Sequence, residues 1–431
     1  AALRLGAVTV PLNLAYRRRE IAHILGDAEP RFLVTEASER AKLDELAPSE
    51  RASVEAVLLA EELEAGSDAD PVPEGPPVDG ADLALLLYTS GTTGRSKGAM
   101  LSHDNLLATV AGLLAAWGWR ADDRLLLTLP LFHTHGLVVG LHCALAAGAT
   151  VLLRRRFEAP AAAAELLGGE PTLFFGVPTM YVRLVEALRG EAGVCRRLGG
   201  MRLFCSGSAP LAAETFAAFE ALTGHAILER YGMTETGMNL SNPLAGPRRP
   251  GTVGTPLPGV AIRIVDREGS DAPPGGAGEL LVRGGNVFAG YWRDPEKTAA
   301  SFRTDQEGRR WFATGDLARR DPETGYVTLL GRRQELILCG GYNVYPREVE
   351  EVLLACPGVR EAAVVGRPDP DRGEVPIAYV VAEGALDEPG LLAHCRRELA
   401  AFKVPRAFRA VDTLPRNVLG KVQKHLLGTD A

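Results

Sequence analysis

Apolar segments of strand length alternate with Ala- and Leu-rich segments through the first half of the chain. Such alternation is typical of a layered α/β domain, in which helices cover a largely parallel sheet. We therefore predict an α/β fold with parallel strands for this part of the protein. The segments that carry the prediction are the apolar runs 83–88, 124–129, 173–176 and 226–229 and the helical stretches 159–168, 180–189 and 211–223.

The pattern changes twice toward the C-terminus. Residues 259–330 contain short apolar runs broken by Gly and Pro, such as VAIRIVD and GYVTLLG, which predict an antiparallel or barrel-like β subregion closing the large domain. After Gly331 a β-α-β alternation begins, which predicts a small α+β domain. The junction GRRQE carries no Pro- or Ser-rich linker. We predict a large domain over 1–330, a small mobile domain over 331–431, and a tight hinge near 332–335.

Composition and charge exclude several classes of function. The net charge is −7 and the basic residues are scattered, which argues against a nucleic-acid surface. No apolar run approaches the roughly 18 residues of a membrane-spanning helix, so we expect no membrane insertion. The six cysteines form no CxxC pair, which predicts free thiols in a cytoplasmic protein rather than a zinc site or a disulfide framework.

The segment 88–98, YTSGTTGRSKG, has the chemistry of a polyphosphate-binding loop. Its glycines let backbone N–H groups approach phosphate oxygens, its hydroxyls donate hydrogen bonds, and its lysine neutralises charge. The spacing differs from that of a Walker A loop, which disfavours a P-loop kinase or ATPase. The loop is thus predicted to bind a polyphosphate.

This loop and its successors resemble the landmarks of the adenylate-forming superfamily, which includes acyl-CoA synthetases, peptide-synthetase adenylation domains and luciferases. The resemblance spans the whole chain, and by it we expect the usual upstream part of the large domain to be missing. The further landmarks, in family order, are LPLFHTHG (129–136), LFCSGSAPL (203–211), ERYGMTET (229–236), PGTVGTPLPG (250–259), FATGDLA (312–318), GRRQELILCGGYNVYPREVE (331–350) and PRNVLGKVQK (415–424).

The resemblance implies that the protein uses ATP, Mg²⁺ and coenzyme A. Lys421 would reach the carboxylate and the α-phosphate during adenylation, where a fixed cation stabilises developing charge. Glu235 would ligate Mg²⁺, and the predicted catalytic set is Lys421, Glu235, Thr234 and His133. Rotation of the small domain would then present Gly340 and Gly341 to coenzyme A. The predicted ATP-binding residues are Thr89, Ser90, Gly91, Thr92, Thr93, Gly94, Lys97, Gly207, Ser208, Ala209, Tyr231, Asp316 and Arg332.

Two arginines in apolar surroundings indicate the acid. Arg183 and Arg230 do not suit a fatty-acyl pocket, and a buried guanidinium is expected to meet a carboxylate. Within the superfamily the chain is most similar to malonyl-CoA synthetases. By that resemblance Arg183, weighted above Arg230, binds the distal carboxylate of malonate. Thr134 would line the pocket, and Met238 would help set the room for a 2-methyl group, so methylmalonate is a candidate second substrate.

Other readings of the same residues stay open. The arginines could be structural, paired with Glu186 or Glu229, in a ligase for medium-chain or aryl acids. The chain could instead load a carrier protein, or bind nucleotide without turnover.

Overall fold

The computed structural model describes residues 2–65, 75–89, 96–417 and 420–428. The first half of the chain forms alternating helices and strands, as predicted. Helix boundaries follow local chemistry: Ser102 and Asn105 exchange capping hydrogen bonds at the start of the helix that ends at Gly118, whose φ is 54°. The elements up to residue 153 are α1 (Arg18–Ala28), β1 (Phe32–Thr35), α2 (Ala41–Asp44), β2 (Ala56–Leu59), α3 (Ala60–Ala65), β3 (Leu83–Thr89), β4 (Lys97–Ser102), α4 (His103–Trp117), β5 (Arg124–Leu127), α5 (Cys143–Ala147) and β6 (Thr150–Leu153).

A seven-stranded sheet forms the centre of the large domain. Its order is β11-β10-β9-β8-β7-β5-β6, and its strands from β9 to β6 are parallel, which confirms the predicted layered α/β fold. A π-helical segment, His135–His142, precedes α5. The elements that complete this region are α6 (Ala159–Leu167), β7 (Leu173–Gly176), α7 (Pro178–Leu188), α8 (Val194–Arg197), β8 (Leu203–Ser206), α9 (Ala213–Thr223), β9 (Leu228–Met233), β10 (Gly237–Ser241) and β11 (Thr255–Pro256).

The central sheet is buried on both faces. Side chains of α4 and of the π-helical segment pack with Leu125 and Phe175 on one face. Side chains of α6, α7 and α9 pack with Phe174 and Phe204 on the other. Burial on both faces explains why these strands are short, continuous apolar runs rather than alternating ones.

An antiparallel sheet of order β12-β13-β16-β15, with β17 paired to β16, closes the large domain. This sheet confirms the β subregion expected between 259 and 330. Its last strand ends at Arg332, so the predicted boundary after residue 330 falls inside it. The elements are β12 (Val260–Val265), β13 (Ala277–Gly284), β14 (Gly290–Tyr291), α10 (Pro295–Ala300), β15 (Phe302–Thr304), β16 (Arg310–Arg320) and β17 (Val327–Arg332).

The small domain has a hydrophobic core of its own, whose buried residues lie between Ile337 and Leu427. It is an α+β layer of order β19-β18-β21-β20, with β22 added parallel to β21. No helix in the described part of the chain is both long and apolar enough to cross a membrane. The elements are β18 (Ile337–Cys339), β19 (Tyr342–Val344), α11 (Pro346–Leu354), β20 (Val359–Asp369), β21 (Gly373–Ala382), α12 (Glu388–Glu398) and β22 (Ala407–Ala410).

Candidate active site

Asp316 is held by side chains from three segments of the large domain. Pairing of β16 with β17 sets Asp316 opposite Arg332, and the Arg332 Nε lies 2.9 Å from Asp316 Oδ1. The hydroxyl of Tyr231, on β9, donates to Asp316 Oδ2. Thr314 Oγ1 accepts from the Asp316 backbone N–H at 3.0 Å. The carboxylate is therefore buried and fixed in orientation, as a site that recognises two adjacent hydroxyls requires.

Glu235 lies in the short turn that follows β9. Its side chain is buried, and its Oε1 accepts a hydrogen bond from the hydroxyl of Tyr291 at 3.0 Å. Burial raises the pKa of Glu235 in spite of this donor, because the charged carboxylate loses solvation. A cation at this position would restore the charged form. Thr234, buried in the same turn, is the neighbouring predicted residue.

The phosphate loop joins two paired strands. Thr89 ends β3 and Lys97 begins β4, and the two residues are partners in the antiparallel ladder. The Lys97 ammonium lies 2.8 Å from Asp294 Oδ2, at the N-terminus of α10. Of the predicted ATP-binding residues in this loop, Ser90, Gly91, Thr92, Thr93 and Gly94 lie outside the described residues.

Arg230 occupies the interior of the large domain. The residue is 3% exposed, and its Nε and Nη2 have no hydrogen-bond partner within the described residues. A Cβ added at Gly207 would lie 2.4 Å from the Arg230 Cζ, so the guanidinium packs directly against the backbone after β8. An arginine remains protonated in proteins, so this is a buried positive charge with two unused donors on one edge. A buried cation of this kind is expected to pair with an anion.

Two neutral histidines accompany this charge. Burial and the neighbouring Arg230 lower the pKa of His133 to about 4, and the same causes lower that of His135. His135 Nδ1 lies 3.3 Å from the hydroxyl of Ser208, a non-glycine residue with φ of 71°. Thr134, between the histidines, is buried, and its hydroxyl has no partner in the part of the chain that the structure describes. The segment thus presents neutral polar groups next to the buried guanidinium of Arg230.

The structure gives Arg183 different surroundings from Arg230. That residue is exposed on α7, whose buried positions are Tyr181, Leu184, Val185 and Leu188. Of the two arginines, Arg230 has the buried environment, and the binding of malonate by Arg183 stays a prediction. The structural alternative also lacks support, since no ion pair within the described ranges joins either arginine to a glutamate. Met238 is buried, and its Cε would lie 2.3 Å from a Cβ added at Gly232.

The small domain brings a basic loop to this site. The Lys421 backbone N–H donates to Asn417 Oδ1 at 2.9 Å, and a Cβ added at Gly420 would lie 3.2 Å from Thr179 Oγ1 at the start of α7. Partial burial and the positive charge of Arg332 lower the pKa of Lys421, although the residue remains exposed.

The remaining predicted residues lie in two loops. Ser208 and Ala209 continue the half-buried segment after Gly207. Gly340 and Gly341 form the turn between β18 and β19 with φ of 58° and 82°.

Some polar residues at the site were not predicted. Tyr291 contacts Glu235 across 56 positions of sequence, and Asp294 pairs with Lys97 across 197, so no spacing signal could have identified either. Ser206, the last residue of β8, has a buried hydroxyl without a partner in the described chain. Its place directly before Gly207 in LFCSGSAPL was the available signal.

A doubly covered α/β sheet, two buried carboxylates, Asp316 and Glu235, and a basic loop from a second domain are typical of an adenylate-forming enzyme. The sequence matches the AMP-binding enzyme family over residues 1–292 and the AMP-binding enzyme C-terminal domain over 348–421. The chain belongs to this family, as predicted, and specifically to its AMP-forming acyl-CoA ligases, whose substrates include ATP and coenzyme A.

Individual relatives cover nearly the whole chain. A sulfoacetate–CoA ligase of Cupriavidus necator is 39% identical over 97% of this chain and 82% of its own length. The mitochondrial malonate–CoA ligase of Mus musculus is 36% identical over 97% of this chain and 76% of its own length. A crystal structure of ATP-bound MatB from Rhodopseudomonas palustris is 44% identical with a TM-score of 0.91, covering 99% of this chain and 84% of that one.

Proposed function

We propose that this chain joins malonate to coenzyme A through a malonyl-adenylate. The observation that carries the proposal is the buried guanidinium of Arg230. Its Nε and Nη2 have no partner among the described residues, and this pair of donors matches a carboxylate. A dicarboxylic acid has one carboxylate to react and a second to pair with this charge. Similarity to malonate–CoA ligases supports the same choice.

The reaction has two steps that share one site. One carboxylate of malonate attacks the α-phosphorus of ATP, and pyrophosphate leaves. The sulfur of coenzyme A then attacks the acyl carbon, and AMP leaves with the electron pair of the broken C–O bond. Lys421 would stabilise negative charge on the α-phosphate in the first step, and its partly desolvated position strengthens that interaction.

The described residues suit the groups that ATP presents. Asp316 would accept from the ribose hydroxyls, with Arg332 holding it in place. Gly207, Ser208 and Ala209 would contact the adenine. Thr89 and Lys97 would flank the phosphates.

Glu235 would hold a magnesium ion together with oxygens of the triphosphate. Mg²⁺ prefers oxygen ligands, commonly one or two carboxylates together with substrate phosphates. A buried carboxylate whose pKa is raised when alone gains most from a bound cation. The ion would neutralise triphosphate charge as the nucleophile approaches.

A second candidate acid is sulfoacetate, favoured by the 39% identity to a sulfoacetate–CoA ligase. Its sulfonate would meet the same guanidinium, so Arg230 does not discriminate between the two acids. Methylmalonate remains a further candidate because Met238 lies near β9. Medium-chain and aryl acids would leave a buried charge unpaired.

We propose a cytoplasmic location, since all six cysteines are free.

The test is pyrophosphate release over a panel of malonate, methylmalonate, sulfoacetate, butyrate and benzoate, with and without coenzyme A. We expect malonate to give the highest kcat/KM and to require coenzyme A for thioester product. Preference for butyrate or benzoate would refute the dicarboxylate proposal. Adenylation without thioester formation from free coenzyme A would favour a carrier-protein partner.

A further inference from the structure

A second lysine of the C-terminal loop has a position that the reaction scheme does not use. Lys424 lies three residues after Lys421 and starts a short 3₁₀ turn. Its ammonium is 2.7 Å from Glu350 Oε1, on α11, and 3.3 Å from Glu335 Oε2, in the turn between β17 and β18. Its side chain is 16% exposed. Lys424 therefore joins the C-terminal loop to the hinge and to a helix of the small domain.

The two glutamates hold Lys424 in different ways. Glu350 Oε1 also accepts from the Val364 backbone N–H at 2.7 Å, so this carboxylate is anchored to β20. The Glu335 carboxylate accepts no such backbone hydrogen bond within the described residues. Burial lowers the pKa of Lys424, but Glu350 and Glu335 raise it by more, so the lysine stays charged. Glu350, held by β20, thus fixes the position of Lys424. Lys424 in turn pairs with the less restrained carboxylate of Glu335.

We propose that Lys424 is a positioning residue for adenylation: by occupying Glu335 it prevents that carboxylate from drawing the Lys421 ammonium away from the acid and the α-phosphate. The inference rests on the proposed role of Lys421 in the first half-reaction. It adds a residue that acts on the catalytic lysine without touching substrate.

The local charges show why Glu335 would turn to Lys421. Arg332, Lys421 and Lys424 lie near Asp316, Glu335 and Glu350 at the hinge. Arg333, also in the hinge, is 3.4 Å from Glu279 Oε2. Arg332 is already paired with Asp316 at 2.9 Å. Lys421 makes no ion pair within the described part of the chain, and it lies three residues before Lys424, the partner of Glu335, in the same loop. Without Lys424, a partly buried carboxylate would lack a partner, and Lys421 would be the available cation.

The primary test is Lys424→Met, assayed in both half-reactions. We expect adenylation, measured as acid-dependent pyrophosphate release, to fall by about 10-fold to 100-fold, because a misplacement near 1 Å can cost on the order of 100-fold. Thioester formation from supplied malonyl-adenylate should stay within about twofold of wild type, since Lys421 serves only the first step. Loss of both half-reactions together would overturn the proposal.

Lys403→Met is the matched control. Lys403 forms a 2.6 Å ion pair with Glu348, also on α11, and its side chain is 22% exposed. The same chemical change is thus made at another lysine whose glutamate partner lies on α11, away from the hinge. Adenylation should be unchanged in this variant. An equal loss in both lysine variants would show a general effect of the small domain and refute a specific role for Lys424.

Rescue separates positioning from folding. In the Lys424→Met background, Glu335→Gln removes the competing charge and should restore adenylation to within about threefold of wild type. Glu335→Gln alone and Lys424→Arg alone should both remain active, which tests the idea even if Lys424→Met folds poorly. Failure of rescue, or inactivation by Glu335→Gln alone, would sink it.

The acid used is whichever the panel shows to be best. Failure of the malonate proposal appears in wild type, whereas failure of this one appears only among the variants.

Discussion

Replacement of Arg230 by alanine tests the assignment of the acid most directly. The guanidinium is buried against Gly207, and two of its donors are unpaired in the described structure. Malonate would supply the missing anion with the carboxylate that does not react. Alanine removes the charge and leaves that carboxylate in a desolvated pocket beside neutral histidines. The variant therefore replaces a paired charge by an unpaired one.

The expected magnitude follows from this burial. Truncating one member of a buried charge pair costs about 2–5 kcal/mol, which lowers kcat/KM for malonate by roughly 30-fold to several thousand-fold. Butyrate offers no second carboxylate, so its kcat/KM should fall far less, and removal of an unpaired cation favours its binding. The ratio of malonate to butyrate kcat/KM should consequently collapse.

The assay is pyrophosphate release with both acids in wild type and variants. Arg183→Ala is the matched control, because it removes an exposed arginine from α7 and should leave the ratio unchanged. Arg230→Met keeps most of the side-chain volume, so it distinguishes the loss of charge from the loss of a core contact. The melting temperature of each variant makes the same distinction. An unchanged ratio in Arg230→Ala together with a collapsed ratio in Arg183→Ala would refute the reasoning and return the role to Arg183.

Three further outcomes follow from the site. Lys421→Ala should abolish adenylation while leaving thioester formation from supplied malonyl-adenylate intact, and equal loss in both half-reactions would contradict its role. Asp316→Ala and Glu235→Gln should weaken the use of ATP with every acid alike, as measured by KM for ATP; a change confined to one acid would refute this. Burial raises the pKa of Glu229 to about 7 from an ordinary 4.5. The unfolded chain thus loses this proton at lower pH than the folded one. The free energy of unfolding therefore falls by about 3 kcal/mol as pH rises from about 4.5 to about 7. Thermal unfolding of Glu229→Gln should lack this decline, and an identical pH dependence would refute the assignment.

The large-scale architecture could be predicted from sequence because it depends on short-range patterns. Apolar runs between 124 and 176 correspond to β5 and β7, with ends within two residues, since burial on both faces demands continuous apolar strands. Periodicity cannot report the order of the strands, which arises when β6 and β7 add on opposite sides of β5. The β subregion was likewise predicted without the pairing that sets Asp316 against Arg332.

Residue types at the nucleotide site could be proposed because their chemistry is local to each motif. Contacts between motifs could not, since they depend on tertiary distances. Tyr231 was predicted to bind ATP, but the hydrogen bond from its hydroxyl to Asp316 was not predicted. The partners of Glu235 and Lys97 come from the segment around β14, which carried no motif. Long-range pairs of this kind determine the charge and orientation of groups whose identity the sequence already shows.

The spacing of buried residues along α7 and β9 distinguishes the two arginines. On α7 the buried positions Tyr181, Leu184, Val185 and Leu188 follow helical spacing, and residue 183 falls outside that stripe. Helical phase alone therefore places Arg183 on the solvent side. Arg230 was taken as following a strand that ended at residue 229, yet β9 continues to Met233 with Arg230 buried inside it. A charged residue within a continuously buried strand carries a large desolvation cost. That cost is the physical reason to expect an anionic substrate at Arg230 rather than at Arg183.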